Sequence, residues 1–424
     1  MTTVATRLAA ICDVIEQHRG TGTAISARRA AAISAMIDDV ATTAAEGRPR
    51  ACRRKRRMAS ASGYKQEGRR LVVGAGGGGQ GHGAVVVRAR HRATGQAVAV
   101  KSLHRRSGGS YAGDVLREAC FTAAGAGHPS LVAFRTVARR PGTADYSIVT
   151  DHGLAGPSLK AAASGLGPFP EADVRRAMRQ LLAGAEAMHR HGVVHRDIKP
   201  SNILVPSGTT GGGVKICNFG AAKSVFEKDP PRQFAGTVAY TAPEVLARNA
   251  DHGTPVDVWS LGCVMAELLT GEPLFAGAAE DDEAHQLFKI FDVLGVPCKR
   301  EWQALKPQVH DDKVQVWRAR QLRQRRRRNR LRELVPPEIL SADGFQVLRG
   351  LLTCDPEKRL TAAAALQCPW FADNDAGGDA PKTTLTRICG VTNISALLAS
   401  KPWSLAMSFV GRALGFIRPK VLLH

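Results

Sequence analysis

Apolar and polar positions change their spacing near residue 70, and this change divides the chain into regions of different predicted structure. Beyond it, three short apolar segments bounded by turn signals predict strands: residues 85–87, 97–101 and 146–150. Further along, apolar residues at helical spacing predict three helices: residues 115–124, 171–191 and 256–270. A small β-rich part before a larger helical part predicts an α+β fold with two lobes.

The boundaries of this two-lobed body follow from the same pattern. We expect the body over residues 69–372, with a small β-rich lobe at 69–150 and a larger helical lobe at 151–372. The helical pattern stops after Pro369-Trp-Phe, so residues 373–424 are predicted to be a C-terminal extension.

Residues 1–68 are rich in Ala, Thr and Arg and show only short helical patterns, such as Leu8, Ile11 and Ile15. We therefore predict a disordered or weakly helical basic extension. An organelle transit peptide is an alternative, although acidic residues such as Asp13 weigh against it because such peptides are poor in acids.

The net charge of +22 over 424 residues is concentrated in two runs. Residues 53–57 (RRKRR) carry five positive charges, and the insert at 318–332 carries nine and no acid. Such runs are usually solvated, but the first also fits a nuclear import signal, and the second could be a basic helix that recruits an acidic partner. No zinc-finger or RNA-binding motif accompanies the charge, so nucleic-acid binding is not favoured.

The overall composition indicates a chain that buries a sizeable core outside the membrane. Hydrophobic residues make up 44%, and no apolar run reaches the roughly 18 residues of a membrane span. The nine Cys are scattered without a CxxC pair, which favours reduced thiols and a nuclear or cytoplasmic location.

A glycine cluster after the apolar pair that begins at Leu71, and before the predicted strand at 85–87, is a candidate phosphate-binding loop. Glycines let backbone N–H groups approach an anion, although such a cluster can also be a flexible linker. Counting back from Thr94-Gly95 places the phosphate-contacting glycines at Gly79 and Gly81, with Ala84 third, or Gly83 if one residue is inserted.

The two strongest chemical signals follow this loop. Lys101 ends the strand VAVK, and Glu118 lies on the next predicted helix, where a Lys–Glu pair can direct the ammonium at nucleotide phosphates. Residues 195–202 then read HRDIKPSN, which matches the HRDxxxxN catalytic loop of protein kinases.

Later motifs have the spacing of a kinase activation segment. Asn218-Phe-Gly and Ala242-Pro-Glu lie 24 residues apart, like the DFG and APE motifs. Asp257 resembles the helix residue that anchors the catalytic loop. Arg359 resembles the arginine that pairs with the Glu of APE, here Glu244.

With these motifs in order, the chain resembles protein kinases of the serine/threonine type over residues 71–372. The stretches LFAG at 274–277 and DEAHQLFKIFDVLGVP at 282–297 are most similar to the cyclin-dependent kinases, including plant members. This resemblance implies transfer of phosphate from ATP with Mg²⁺ or Mn²⁺ to Ser or Thr of a protein substrate.

The resemblance also implies roles for individual residues. Asp197 would be the catalytic base, Lys199 would stabilise the phosphoryl group, and Asn202 with Asn218 would hold the metal. The remaining nucleotide-binding positions are Gly79, Gly81, Gly83, Val86, Ala99, Lys101, Glu118, Asp151 and Gly153. The adenine edge would meet the backbone of residues 151–153, after the small residue Thr150.

Three departures bear on activity. Asn218 replaces the metal-binding Asp, and Mg²⁺ favours carboxylate ligands. The activation segment has Arg232 near the position where the family carries a phosphorylated Thr, and Thr237 lies too close to APE for that role. The helix carrying Glu118 lacks the PSTAIRE pattern, so a cyclin or other regulatory subunit is conceivable but unsupported. Two functions follow: a weakened serine/threonine kinase, or a pseudokinase that binds nucleotide and acts as an interaction module.

Overall fold

The computed structural model describes most of the chain, in segments. These are residues 3–20, 27–44, 59–73, 82–105, 112–141, 143, 145–151, 157–164, 167–205, 213–227, 238–276, 283–323 and 328–372. The basic run at 53–57 and the C-terminal extension at 373–424 therefore lie outside the described residues. Among the described residues, no helix is both long and apolar enough to cross a membrane.

The small lobe is built on a six-stranded sheet with the order β1-β5-β6-β4-β3-β2. All pairings are antiparallel except the short one between β1 and β5. The strands of this sheet are β1 (Ala59–Ser60), β2 (Tyr64–Val73), β3 (His82–His91), β4 (Ala97–Arg105), β5 (Phe134–Arg139) and β6 (Tyr146–Asp151). Four two-residue strands follow as two small pairs: β7 (Val193–Val194) with β10 (Lys223–Ser224), and β8 (Ile203–Leu204) with β9 (Lys215–Ile216).

The described helices lie mainly in the large lobe. In chain order they are α1 (Thr3–Gly20), α2 (Ala27–Ala44), α3 (Ala112–Ala124), α4 (Leu159–Ala163), α5 (Glu171–Arg190), α6 (Pro243–Leu246), α7 (Pro255–Thr270), α8 (Glu283–Leu294), α9 (Lys299–Ala304), α10 (Asp311–Arg323), α11 (Leu331–Leu334), α12 (Ala342–Leu351) and α13 (Ala362–Leu366). The predicted α+β architecture with a β-rich lobe before a helical lobe is confirmed.

The core of the large lobe forms around α7, as its apolar sequence predicts. Thirteen of its 16 residues are buried, and it packs against α5 and α12. The helix begins at Pro255, whose missing N–H costs nothing at a helix start. It ends at Gly271, which adopts φ +84°, a left-handed conformation that glycine tolerates.

The N-terminal region differs from its prediction. In place of a disordered or weakly helical extension, the structure has two 18-residue helices, α1 and α2. The buried positions of α1 (Val4, Leu8, Ile11, Cys12 and Ile15) recur at helical spacing along one face. The sheet also begins before residue 69, since β2 starts at Tyr64.

The arginine-rich insert at 318–332 is divided in the structure. Its first residues complete α10, and its last two residues begin α11, while residues 324–327 lie outside the described chain. Trp317 on α10 stacks on Phe288 of α8, with ring centroids 5.0 Å apart. The residue directly before the insert is therefore packed against α8.

Candidate active site

One buried carboxylate, that of Asp257, anchors the backbone of the catalytic loop. Asp257, in the first turn of α7, has no exposed surface. It accepts hydrogen bonds from the backbone N–H groups of His195 and Arg196, both at 2.8 Å. His189, at the end of α5, lies 2.9 Å from the same carboxylate through Nε2. The anchoring role predicted for Asp257 is confirmed.

Burial and hydrogen bonding act on the pKa of Asp257 in opposite directions. Burial alone raises it, because a charge is less stable away from water. The hydrogen bond and charge of His189, together with the backbone N–H of His195, outweigh burial and lower the pKa below its usual value. Asp257 is therefore ionised at neutral pH, which suits an acceptor of several hydrogen bonds.

Arg196 turns the chain toward the catalytic residue. Its backbone φ of +65° lies in the left-handed region, which residues other than Gly and Asn rarely adopt. Its guanidinium Nε donates to the carbonyl oxygen of Ala221 at 2.6 Å. Burial, followed by the nearby Arg117, lowers the pKa of Arg196 to about 10. The strained turn is thus fixed by Asp257 on one side and the activation segment on the other.

Lys101 and Glu118 form the expected ion pair between β4 and α3. Lys101 Nζ lies 2.6 Å and 2.8 Å from the two carboxylate oxygens of Glu118. The Glu118 side chain is almost fully buried, whereas Lys101 retains some exposure. The ammonium group is therefore held in place at the inner face of the sheet.

From Lys101, a chain of amide contacts leads to Asp197. Lys101 Nζ donates to Asn218 Oδ1 at 2.6 Å. Asn218 Nδ2 donates to Asn202 Oδ1 at 3.0 Å. Asn202 Nδ2 donates in turn to the backbone oxygen and to Oδ2 of Asp197, at 2.7 Å and 2.8 Å.

The partners at each end determine which way both amides face. An ammonium group can only donate, so the oxygen of Asn218 must face Lys101 and its nitrogen must face Asn202. The carboxylate of Asp197 only accepts, so the nitrogen of Asn202 must face it. The orientation of the two amides is therefore self-consistent along the whole chain of contacts.

Asp197 and Lys199 meet at the end of this chain. Lys199 Nζ lies 2.9 Å from Asp197 Oδ1, and both side chains are about nine-tenths buried. Asn202 ends the short 3₁₀ turn Pro200–Asn202, which brings it back toward Asp197. The three residues predicted to be catalytic are thus brought together.

The backbone at Asn218 suits an amide residue. Asn218 has φ 69° and ψ 70°, in the left-handed region that Asn tolerates better than most residues. The preceding carbonyl, of Cys217, is 3.0 Å from His195 Nε2, and the following Phe219 packs edge-on against the His195 ring at 5.0 Å. The turn at 217–219 is therefore fixed against the catalytic loop.

The side chains near Asn218 fit a nucleotide better than a bare divalent metal. Asn202 and Asn218 supply neutral amide oxygens, and Asn218 Oδ1 already accepts from an ammonium group. Within the described residues, no group of three or more His, Cys, Asp or Glu could hold a metal ion. Mg²⁺ favours carboxylate and phosphate oxygens. The amide oxygens of Asn218 and Asn202 both already accept a hydrogen bond. The site therefore fits a metal only when nucleotide phosphates supply most of the negative charge and the metal displaces these bonds.

The other predicted nucleotide positions lie along the sheet or outside the described chain. Gly79, Gly81 and Gly153 lie outside the described residues, as do Arg232 and Thr237. Gly83 pairs with His104 near the start of β3. In the same ladder, Val86 lies opposite Lys101.

Ala99 and Asp151 lie beside the same part of the sheet. Ala99 is opposite Thr150, and Asp151 is the last residue of β6. The backbone N–H of Asp151 donates to Ala133 at 2.9 Å, so a ligand at this edge could use only its carbonyl. The Asp151 carboxylate pairs with Arg135, whose Nη2 is 2.8 Å from Oδ2.

A buried ion pair between Arg359 and Glu244 also stabilises the large lobe. The two terminal guanidinium nitrogens of Arg359, Nη1 and Nη2, donate to the carboxylate of Glu244 at 2.7 Å and 2.8 Å, and both side chains are essentially unexposed. The pairing predicted from the two motifs is confirmed. It joins the end of the activation segment to the body of the lobe.

Sequence reasoning missed two contacts that shape the site. His189 holds Asp257, but a single His near the end of an amphipathic helix carries no recognisable signal. Arg117 donates to Glu227 at 2.7 Å and to the carbonyl of Ala222 at 3.2 Å. Its position directly before Glu118 is the only sequence feature that could have drawn attention to it.

Fold and site together define a protein kinase. Residues 78–371 match the protein kinase domain family, and the chain belongs to that family. The predicted resemblance is thereby confirmed.

Similar proteins place the chain among the serine/threonine kinases. Cyclin-dependent kinase F-2 of Oryza sativa subsp. japonica is 42% identical over 314 residues, covering 72% of this chain and 91% of that protein. Serine/threonine-protein kinase ICK of Rattus norvegicus is 40% identical over 203 residues, covering 48% of this chain and 30% of that protein. Cyclin-dependent kinase 4 of Xenopus laevis is 36% identical over 271 residues, covering 63% and 78%. The chain is a protein serine/threonine kinase of the cyclin-dependent-kinase-like type.

Proposed function

We propose that this kinase transfers the γ-phosphate of ATP to Ser or Thr hydroxyls of proteins, at a rate reduced by Asn218. The observation that carries this proposal is the intact group of Asp197, Lys199 and Asn202 on an anchored loop. A protein substrate also agrees with the name of the similar serine/threonine-protein kinase ICK.

Each residue of the group has a distinct task. Asp197 accepts the proton of the attacking hydroxyl, and Lys199 is close enough to balance negative charge that develops on the transferred phosphoryl group. Lys101, held by Glu118, binds phosphate oxygens of the nucleotide. When bound, Mg²⁺ or Mn²⁺ would neutralise phosphate charge, with Asn202 and Asn218 as its protein ligands. Most of the catalysis would then come from positioning and charge.

The reduction in rate follows from the missing charge at residue 218. Removing one preorganised group that stabilises developing charge costs about 2.7–4 kcal/mol, or roughly 10²–10³ in rate. We expect a loss in this range relative to an Asp at the same position.

A pseudokinase that binds nucleotide without transfer is the second candidate. It is favoured by one specific contact: the N–H of Asn218 occupies the oxygen of Asn202 that a metal would need. The retained Asp197 and Lys199 argue against it, because a binding module does not require a base.

Phosphate transfer from radiolabelled ATP to a basic protein substrate distinguishes the two functions. The measurement compares the native chain, Asn218→Asp and Asp197→Asn, with Mg²⁺ and with Mn²⁺. Asp197→Asn keeps the size of the side chain and an acceptor for Asn202 but removes the base. Native activity that disappears in Asp197→Asn supports the weakened kinase. No native activity, with recovery in Asn218→Asp, supports the pseudokinase.

A further inference from the structure

The two N-terminal helices pack on the helix that carries Glu118. α1 and α2 contact each other and α3, while α2 also contacts β5 and α1 also contacts β10. Five of their large apolar side chains are fully buried in the same core as α3: Leu8, Ile11, Ile15, Ile33 and Ile37. The pair of helices is therefore packed as part of the kinase body.

α3 is buried around its whole circumference. Ten of its 13 residues are buried, and at about 100° per residue these positions point in every direction around the helix axis. A helix covered only by the sheet would keep a polar, exposed face. Part of the buried surface of α3 therefore depends on α1 and α2.

The inner contacts of α3 reach both sides of the active site. Glu118 holds Lys101, and Arg117 holds the carbonyl of Ala222 and the carboxylate of Glu227, just after the Asn218 turn. Because α1 touches β10 as well as α3, it also braces the start of the activation segment. A shift of α3 would therefore disturb both the Lys101 pair and this segment.

We infer that α1 and α2 act within the chain as the element that positions α3, so that Glu118 stays in contact with Lys101 without a separate regulatory subunit on the covered face. The α1–α2 pair is a positioning element and does not touch the reacting atoms. The inference rests on the proposed function only for the second of its two readouts, the affinity for ATP.

One contact between α1 and α3 offers a direct way to perturb the packing. Cys12 on α1 faces Cys120 on α3: after burial, the neighbouring Cys12 thiol is the next cause that raises the pKa of the Cys120 thiol. Both residues are buried, with Cys12 2% exposed. A charge placed at residue 12 would be forced against α3, and burying an unpaired carboxylate is strongly unfavourable. Ala10, on the same helix, is exposed and provides the matched control.

The test compares hydrogen exchange in the native full chain, Cys12→Asp and Ala10→Asp. We expect amides of α3 to exchange at least about tenfold faster in Cys12→Asp, because local opening becomes easier. Amides of α7, remote from α1, should keep their native protection, and Ala10→Asp should match the native chain throughout. The result does not depend on catalysis, so a chain that transfers no phosphate still tests the inference.

Affinity for ATP provides the functional readout, by titration of the same three proteins. We expect Cys12→Asp to weaken binding at least about fivefold, since Lys101 loses its fixed partner, with Ala10→Asp unchanged. Native α3 protection in Cys12→Asp would overturn the inference, as would equal loosening of α3 and α7. If Cys12→Asp does not fold, the same exchange measurement is made on Cys12→Ser. We then expect the amides of α3 to exchange faster than in the native chain while those of α7 do not change, and unchanged exchange in α3 refutes the positioning role.

Discussion

Replacing Asp257 with Ala should release the catalytic loop from the large lobe. The carboxylate accepts from His195, Arg196 and His189 in an environment with no exposed surface. Removal leaves two backbone N–H groups and one imidazole without this acceptor. Arg196 would also lose the contact that stabilises its left-handed backbone conformation.

The size of the effect follows from these contacts. Each buried donor left unsatisfied costs about 1–3 kcal/mol, and such costs are not additive when the donors share one partner. Removing one partner of a buried ion pair costs about 3–5 kcal/mol of stability. We therefore expect Asp257→Ala to lower the free energy of unfolding by about 3–5 kcal/mol. Asp257→Asn keeps one acceptor oxygen and should cost about 1–3 kcal/mol.

Acid should remove the same contribution in the native chain. The pKa of Asp257 is lower in the folded state than its ordinary value of 3.8, so the folded state binds fewer protons than the unfolded state near that pH. The stabilisation is then complete above pH 3.8 and is lost as pH falls through the folded pKa. Asp257→Asn cannot be protonated at this position, so its stability should fall less steeply below the same pH.

Urea unfolding followed by tryptophan fluorescence measures both effects. Asp312→Ala, which removes an exposed carboxylate on α10, is the matched control and should change stability by less than about 1 kcal/mol. A loss of stability in Asp257→Ala as small as in Asp312→Ala would refute the anchoring argument. So would an acid dependence in Asp257→Asn as steep as in the native chain.

Three further changes test other parts of the structure. Glu244→Gln leaves the buried guanidinium of Arg359 without its charge partner and should cost about 3–5 kcal/mol in urea unfolding; a cost below 1 kcal/mol would contradict this. Gly262→Ala places a Cβ 2.8 Å from Leu352 and should cost about 1–3 kcal/mol, whereas Gly63→Ala, with open space at its Cβ, should not. Asn218→Asp should make the ATP-induced rise in melting temperature depend more strongly on Mg²⁺ than in the native chain; equal differences between Mg²⁺ and EDTA in both proteins would count against the amide argument.

The parts of the site that could be predicted are those in which the spacing of the motif specifies the contact. Asp257 and the Glu244–Arg359 pair were predicted because their motifs have one known arrangement, and both contacts are present. The Lys101–Glu118 pair is of the same kind. These residues lie on elements whose order in the chain leaves little choice of partner.

The length of the two N-terminal helices was not predicted, for a physical reason. The apolar residues of α1 and α2 are spaced for a helix, but Ala, Thr and Arg between them give only a weak contrast between faces. Such helices are stable mainly when another surface covers their apolar side. That surface is α3, which lies more than 60 residues later in the chain. The local sequence of α1 and α2 does not predict that they pack against it.

The polarity of residue 218 decides what can lie between it and Asn202. With Asn, the side-chain N–H fills the gap and satisfies Asn202 Oδ1 at 3.0 Å. With Asp, two acceptor oxygens would face each other there, an arrangement that requires a cation or a proton between them. The backbone turn, the Lys101 pair and the anchored loop would be the same in either case. In the proposed function, the weaker use of a metal relative to an Asp at this position therefore comes from one hydrogen-bond donor, and the metal dependence of ATP binding tests this directly.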